Sequence, residues 1–287
     1  MRYQFIHAEK ANFPIKLLCE VMMVSRSGYY RFEKSGGKFI RPHRQRLITN
    51  TLAIFKASGG SYGSRRIASA LSDEGESVGR YQARSLMKEA GITVKRKKRF
   101  KVTTDSRHPY RIAPNILARE FDVDRPNRVW GSDITYLWTQ EGWLYLAVVV
   151  DLFSRKVVGW SLSHRMTAEL AINALNMAIG VNKPGKGVIH HSDRGSQYAC
   201  HDYQKLLSKN GFVCSMSRKG NCWDNAVVER FFRSLKSEKT DHVHYGTREN
   251  AIQDVFHYIE MFYNKWRKHS YLGYVSPIQY ENLANVA

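Results

Sequence analysis

Three β-rich stretches in close succession limit the possible folds of this 287-residue chain more than any other feature. They lie at 129–139, 143–151 and 156–163, and only a few residues separate each from the next. Connections this short join antiparallel neighbours, because a parallel crossover needs a dozen or more residues. The sequence therefore predicts three antiparallel strands in the middle of the chain.

Helices and strands alternate after these three strands. The predicted elements are a helix at 168–179, a strand at 187–191, a helix at 203–210, a strand at 212–215 and helices at 224–239 and 249–267. Three antiparallel strands followed by such an alternation predict an α/β fold with a mixed sheet.

Helical patterns precede the sheet. Two short helices are predicted within 15–32, around a turn at 25–28, and two or three more within 45–92, the last of them ended by Gly91. Short helices, tight turns and many arginines are typical of helix-turn-helix DNA-binding regions. A small helical bundle with a solvated basic surface would give the same pattern, and this alternative stays open here.

Positive charge is concentrated in the front of the chain. The 45 Lys and Arg residues exceed the 25 Asp and Glu residues by 20, and residues 1–120 carry 25 of the bases against 9 of the acids. Basic side chains gain affinity for nucleic acid by releasing its counterions, although a ribosome-associated or merely soluble basic protein would also fit. The bases expected at the DNA backbone are Arg65, Arg66, Lys95, Arg96, Lys97 and Lys98.

The same composition bears on compartment and domain organisation. The longest apolar run, 143–150, is far short of the roughly 20 residues of a membrane helix, and nothing near Met1 resembles a secretory signal. Four widely spaced cysteines without a C-x-x-C pair argue against a zinc site or a disulfide framework, so we expect a cytoplasmic protein. The predicted divisions are an N-terminal helical segment at 1–44, a helix-turn-helix-like region with a basic linker at 45–105, an α/β core at 121–245 and a C-terminal helical segment at 246–287.

Three acidic residues fall where the predicted elements would let them converge. Asp133 lies within the first strand, Asp193 follows the strand at 187–191, and Glu229 lies on the helix at 224–239. Acids at strand ends commonly line a site at the edge of a sheet. Glu229, Arg233 and Lys236 share one helix face, apart from an apolar stripe that is predicted to be buried. The stripe consists of Val227, Val228, Phe231, Phe232 and Leu235.

Gathered carboxylates repel one another unless cations neutralise them, and hard oxygen donors suit Mg²⁺ or Mn²⁺. Two such ions, roughly 3.5–4 Å apart, can activate the attacking oxygen and stabilise the leaving oxygen in phosphodiester displacement. Arg233 and Lys236 would then hold DNA phosphates. Each acid alone also has an ordinary explanation as a turn, cap or surface ion-pair residue, so spacing alone leaves both interpretations open.

Neighbouring residues offer alternatives. Asp151 could replace the first acid, although it looks like the first residue of a turn. Asp224 could replace the third, although it stands where a helix N-cap is expected. Only one residue of the pair His190 and His191 can face the site from a strand, and we expect His191 to support the site and His190 to lie in the core.

Three segments resemble a known family. W-x-x-D-I-T-Y (130–136), H-S-D-R-G-S-Q-Y (191–198) and N-x-W-D-N-A-x-x-E-R-F-F-x-x-L-K (221–236) are similar to the integrase core of OrfB-type insertion-sequence transposases, which are related to retroviral integrases. Asp193 and Glu229 have 35 residues between them, the interval of the family's DD(35)E signature. Segments 18–30, 62–67 and 264–277 extend the resemblance over nearly the whole chain.

The resemblance implies a ribonuclease-H-like core in which Asp133, Asp193 and Glu229 hold two divalent ions. Water would cleave the element end and the exposed 3′ hydroxyl would attack another phosphodiester, with Lys236 contacting the terminal DNA. It also implies a bacterial, nucleoid-associated protein that binds terminal inverted repeats and target DNA, forms a homo-oligomer on DNA and works with an upstream OrfA partner or fusion. The alternative is a non-catalytic DNA-binding regulator or an accessory subunit of a transposition complex.

Overall fold

The computed structural model describes residues 1–36, 42–94, 109–219 and 221–284. In these residues six helices precede the first strand. They are α1 (Arg2–Glu9), α2 (Ile15–Val21), α3 (Arg26–Lys34), α4 (Pro42–Ala57), α5 (Ser64–Asp73) and α6 (Arg80–Glu89). Of the two or three helices predicted within 45–92, the structure has three, the first of which begins at Pro42, and Gly91 ends α6 in the left-handed conformation, with φ +68°.

The turn between α2 and α3 lies earlier than predicted. Ser25 caps α3 by accepting a hydrogen bond from the Gly28 amide at 3.1 Å, so the helix already begins at Arg26. The first three helices and the next three bury separate hydrophobic clusters, one around Tyr29 and the other around Ile67 and Leu86. The front of the chain is therefore two small helical units.

Five strands form one mixed sheet. They are β1 (Val129–Thr139), β2 (Gly142–Asp151), β3 (Val157–Ser163), β4 (Ile189–Ser192) and β5 (Val213–Met216), in the order β3-β2-β1-β4-β5. The strands β1, β2 and β3 pair antiparallel, whereas β4 pairs parallel with both β1 and β5. The predicted mixed sheet is confirmed.

Helices cover both faces of the sheet. One face carries α7 (Ala168–Asn182), α8 (Ser196–Ala199) and α9 (His201–Lys209), and the other carries α10 (Ala226–Glu238), α11 (Arg248–Phe256) and a π-helix (His257–Tyr263). The remaining elements are α12 (Pro277–Ala284) and 3-10 turns at Cys222–Asn225, Thr240–His242 and Ser270–Leu272. None of the helices within the described ranges has the length and apolar character needed to cross a bilayer.

The helix predicted at 249–267 is shorter and less regular than expected. It becomes a π-helix at His257, and the Asn264 side chain, just past its end, bonds both the amide and the carbonyl of Val157 at 3.0 Å. Tyr258, Ile259 and Tyr263 share a hydrophobic cluster with β1 and β2. The C-terminal segment is thus built into the core that begins at β1.

The helical region also docks onto this C-terminal segment. Tyr62 stacks on Trp266 with ring centroids 5.1 Å apart, and its hydroxyl accepts a hydrogen bond from the Lys268 amide at 2.8 Å. On α5, Arg66 pairs with Glu238 of α10 at 3.0 Å. The α4–α6 unit and the sheet domain therefore share a partly buried polar interface.

Candidate active site

The parallel pairing of β1 and β4 brings the first two predicted acids to one level. Gly131 pairs with His191 in the register of these strands, and Asp133 and Asp193 each lie two residues further on. Neighbouring strands are about 4.8 Å apart, so these two residues leave the paired region side by side. Backbone amides fix both side chains, because Asp133 accepts from Ile134 and Asp193 accepts from Gly195, each at 2.8 Å.

Close contact between α10 and β1 carries the third acid to the same edge. Asn225, just before α10, donates its side-chain amide to the Ser132 carbonyl at 3.1 Å. Gly131 has no side chain to separate the two elements, since a Cβ there would lie 2.8 Å from Val228 Cγ2. Glu229 is the next residue along α10 and is exposed.

The apolar stripe of α10 packs as predicted. Val228, Phe231, Phe232 and Leu235 are buried, and Val227 is half-buried. This packing fixes which side of α10 faces the sheet. Asn225 was missed as a functional residue, although it belongs to the motif at 221–236, because its role depends on a hydrogen bond to a carbonyl 93 residues away.

The charges of Asp193 and Glu229 act on Asp133. The pKa of Asp133 lies well above its ordinary value, because burial disfavours the charged form and the negative charges of Asp193 and Glu229 add to that effect. Lys236 acts in the opposite direction on the same carboxyl. Glu229 is exposed as a whole residue, but neighbouring groups partly desolvate its carboxyl, and this raises its pKa against the charge of Arg233. Added positive charge would therefore favour the ionised form of Asp133.

The acids do not form a closed metal site as they stand. Within the described ranges, no three His, Cys, Asp or Glu side chains converge closely enough to hold a metal ion. The two aspartates are fixed by backbone amides, whereas Glu229 stands exposed on its helix.

Two basic residues accompany the acids on α10. Lys236 lies with its Nζ 4.9 Å from the centre of the Tyr136 ring, so its ammonium sits over an aromatic face beside β1. Arg233 is exposed one turn after Glu229. DNA contact by these two bases stays a prediction.

The competing acids have other roles. Asp151 accepts hydrogen bonds from the amides of Asn127 and Phe153 at 2.7 and 2.8 Å, which makes it a buried turn residue. The prediction that Asp224 caps a helix is wrong. A 3-10 turn precedes α10 and moves the cap position to Asn225, and Asp224 turns instead to Arg119 and Arg218, at 2.8 Å from each.

The arginines around Asp224 also explain its electrostatics. The hydrogen bond from Arg218 is the largest of several influences that hold the pKa of Asp224 well below its ordinary value, and a second hydrogen bond from Arg119 acts the same way. This fully buried carboxylate ties the segment before α10 to the loop before β1. Its surroundings suit a permanent ion pair.

Both adjacent histidines are buried. His190 contacts the hydroxyls of Ser132 and Tyr203 at 2.8 and 2.9 Å, and burial lowers its pKa to about 3. His191 contacts the hydroxyls of Ser215 and Ser217 at 2.9 and 3.1 Å, and burial lowers its pKa to about 4. His190 is a core residue as predicted, whereas the contacts of His191 link β4 to the end of β5, and its support of the site stays a prediction.

The predicted DNA-binding residues of the front half are dispersed. Arg65 is exposed on α5, whereas Arg66 is engaged with Glu238. The run Lys95, Arg96, Lys97 and Lys98 lies outside the described residues. DNA contact by these six bases stays a prediction.

Comparison with known proteins gives the class of this chain. Residues 123–222 and 229–284 match two family models described as "Integrase core domain", and residues 42–100 match an "HTH-like domain". The catalytic core domain of HTLV-2 integrase in complex with magnesium is similar over 55% of this chain and 97% of its own, with 19% identity and a TM-score of 0.42. A mixed five-stranded sheet with an integrase-core sequence, preceded by a helix-turn-helix-like region, places the chain among the integrase-core proteins, as the resemblance predicted.

Curated relatives give the family. The chain is 42% identical over 284 residues to transposase InsF for insertion sequence IS3A of Escherichia coli (strain K12), covering 98% of this chain and 99% of the relative. It is equally similar over 260 residues to an uncharacterized 31 kDa protein of insertion element IS600 from Shigella sonnei, covering 91% and 96%. The chain belongs to the IS3 family of insertion-sequence transposases.

Proposed function

We propose that Asp133, Asp193 and Glu229 are the catalytic residues of a metal-dependent polynucleotidyl transferase that cleaves insertion-element DNA ends and joins them to target DNA. The observation that carries the proposal is the placement of Asp133 and Asp193 side by side beyond the paired residues of β1 and β4, with Glu229 near enough on α10 for its charge to act on Asp133. Like charges gathered at one sheet edge cost folding free energy, and such arrangements are concentrated at functional sites.

The donor set fits hard divalent cations. Asp133, Asp193 and Glu229 offer only carboxylate oxygens, the ligands that Mg²⁺ and Mn²⁺ prefer. The raised pKa of Asp133 is expected of a carboxyl whose ionised form a bound cation would stabilise. These three residues would hold two such ions. When bound, the ions supply Lewis-acid activation of the attacking oxygen and stabilisation of the leaving oxygen.

The reaction has two displacements at phosphorus. First, a water oxygen forms a bond to phosphorus at the element end and the bond to the 3′ oxygen breaks, which leaves a 3′ hydroxyl and a 5′ phosphate. Next, that 3′ hydroxyl loses its proton and attacks a target phosphodiester, whose own 3′ oxygen leaves. Arg233 and Lys236 hold the phosphates beside the acids, where their positive charges oppose the repulsion between DNA and carboxylates.

DNA binding is assigned to the basic front of the chain. The α4–α6 unit holds the terminal inverted repeat, with Arg65 exposed toward it and Lys95–Lys98 along the backbone. Because both element ends must be held together for joining, a homo-oligomer on DNA is expected. An upstream OrfA partner, or a fusion to one, would supply further end binding.

The decisive experiment is a strand-transfer assay with Mg²⁺ and labelled oligonucleotides that carry the element end. Asp193→Asn and Glu229→Gln keep the shape of each side chain and remove its charge, so both should reduce cleavage and joining to background. Asp202→Asn, an exposed acid on the opposite face of the sheet, is the matched control and should keep wild-type activity. Binding to the DNA end, measured by fluorescence anisotropy, should be unchanged in all three variants.

Wild-type joining by either site variant would overturn the assignment. The assay should be run with and without the upstream partner, because a chain that binds ends yet joins none under either condition would be a DNA-binding regulator.

A further inference from the structure

An exposed aromatic cluster stands at the tip of the β1–β2 hairpin. Trp138 and Trp143 are paired across the hairpin and keep 60% and 44% of their surface exposed. Their ring centroids lie 4.7 Å apart, and Tyr136 packs edge-on against Trp143 at 5.0 Å. We call Tyr136, Trp138 and Trp143 the aromatic platform. Exposing two indoles to water is unfavourable, so such a surface is typical of a binding site.

The hairpin that carries the platform is fixed in place. The backbone amide of Arg248 donates to the Glu141 side chain at 2.7 Å, and the Arg248 guanidinium donates to the Trp143 carbonyl at 3.2 Å. The Gln140 amide donates to the Tyr245 carbonyl at 3.0 Å. The aromatic platform is therefore preorganised, and a ligand that stacks on it loses little free energy to ordering the protein.

The platform lies on the same strand as the first catalytic acid. Tyr136 and Trp138 follow Asp133 by three and five residues, which corresponds to about 10 and 17 Å along the strand, and these odd offsets place their side chains on the other face of β1 from the acid. Lys236 links the aromatic platform to the first acid, because its ammonium lies over the Tyr136 ring and its charge acts on Asp133. A single DNA strand rises about 3.4 Å per nucleotide, so the platform is three to five nucleotides from the acids.

We propose that the aromatic platform stacks unpaired bases of the DNA strand whose phosphodiester lies at the acids. The proposal rests on the proposed function. Its physical basis is the combination of exposed π-faces with an adjacent ammonium, which suits a base and its phosphate. A purely apolar protein surface would gain nothing from Lys236.

The most informative test separates stacking on a base from burial of apolar surface alone. Trp138→Leu keeps an apolar side chain without a π-face, whereas Trp138→Phe keeps an aromatic ring. The full-length chain is mixed, in EDTA, with element ends that carry 2-aminopurine three to five nucleotides from the cleavage position. Wild type and Trp138→Phe should quench the fluorescence strongly, and Trp138→Leu, which keeps only Tyr136 and Trp143 of the platform, should quench it clearly less.

Affinity gives a second readout with a matched control. Wild type should bind an end with those nucleotides left unpaired more tightly than a fully paired end, and Trp138→Leu should lose roughly 5- to 150-fold in affinity for the unpaired end. Phe256→Leu changes an aromatic residue of similar exposure, 49%, which packs on Trp160 on another surface. It should leave both quenching and affinity unchanged.

The outcomes distinguish this inference from the proposed function. Equal quenching by Trp138→Leu and wild type, with end binding and joining intact, would overturn the stacking role alone. A changed sedimentation coefficient of DNA-free Trp138→Leu would overturn it as well, because the surface would then join copies of the chain. Failure of wild type to bind any element end would overturn both proposals.

Discussion

The ionisation of Asp133 in the proposed active site depends on the charges around it. Burial and the negative charges of Asp193 and Glu229 disfavour its ionised form, whereas the positive charge of Lys236 favours it. Its carboxylate is thus unfavourable for folding in the absence of further positive charge. Gathering acids that a cation would have to neutralise therefore lowers the stability of the cation-free protein.

Removing one of these charges should stabilise the cation-free protein. In EDTA, Asp133→Asn should raise the melting temperature by about 2–4 °C for each kcal/mol of relieved repulsion. Mg²⁺ should raise the melting temperature of wild type and have little effect on the variant, because a ligand stabilises only a fold that binds it. Differential scanning calorimetry measures both values, with Asp202→Asn as the control that should behave as wild type. An equal Mg²⁺ response in wild type and Asp133→Asn would contradict the prediction.

Sequence motifs identified the acids but not what supports them. Asp133, Asp193 and Glu229 could be predicted because each stands in a motif whose neighbours fix its strand or helix. The partners of Asp224 could not, since Arg119 lies more than 100 residues away and local pattern favoured a cap. The aromatic platform was missed for a related reason, because alternating aromatic residues in a strand are usually core and only the open tip of the hairpin exposes them.

At the scale of elements, the central sheet was the most predictable part of the molecule. Short connections and β-rich composition suffice for β1 to β3, because hairpins depend on local interactions. The helix α11 was less predictable. It continues into a π-helix, just past which Asn264 bonds the backbone of Val157, a contact between residues 107 positions apart. Tertiary contacts of this kind leave no periodic signal in the sequence.

Helix α10 depends on Gly131 for its distance from β1. In Gly131→Ala the added methyl would lie 2.8 Å from Val228 Cγ2 and 3.0 Å from Leu152 Cδ1, so α10 must shift outward. Overpacking of this kind destabilises by about 1–3 kcal/mol. Because Glu229 moves with the helix, strand transfer measured well below the melting temperature should fall by up to about 100-fold.

A glycine in open space provides the control for this substitution. A Cβ at Gly180, on α7, would meet no atom within 4 Å, so Gly180→Ala should keep full activity and gain up to about 1 kcal/mol in stability by urea unfolding. Full strand-transfer activity in Gly131→Ala would show that the spacing of α10 and β1 does not position Glu229.

At the scale of the whole molecule, one buried acid joins three parts of the chain. Glu238 ends α10, pairs with Arg66 of the helix-turn-helix-like region at 3.0 Å and pairs with Arg267 of the C-terminal segment at 2.7 Å. Tyr258 also donates its hydroxyl to this carboxylate at 2.8 Å. The helix that carries Glu229 is therefore tied at its far end to the region expected to hold DNA.

Removing the negative charge of Glu238 should lower the free energy of unfolding by an amount that depends on pH. Burial raises the pKa of Glu238, but the hydrogen bond and charge of Arg267 outweigh it, so the folded pKa lies below the ordinary value of 4.5. Ionised Glu238 thus stabilises the fold fully above about pH 4.5, and this contribution is lost as the pH falls through the lower folded value.

Glu238→Gln should cost about 3 kcal/mol at pH 7, since Arg267 is left buried without its counter-charge. Chemical unfolding from pH 7 to pH 3 should show the gap between wild type and variant closing with acid, whereas Glu249→Gln, an exposed acid on α11, should show no gap at any pH. A gap that stayed constant over that range would mean that the Glu238 side chain acts through its shape and not through its charge.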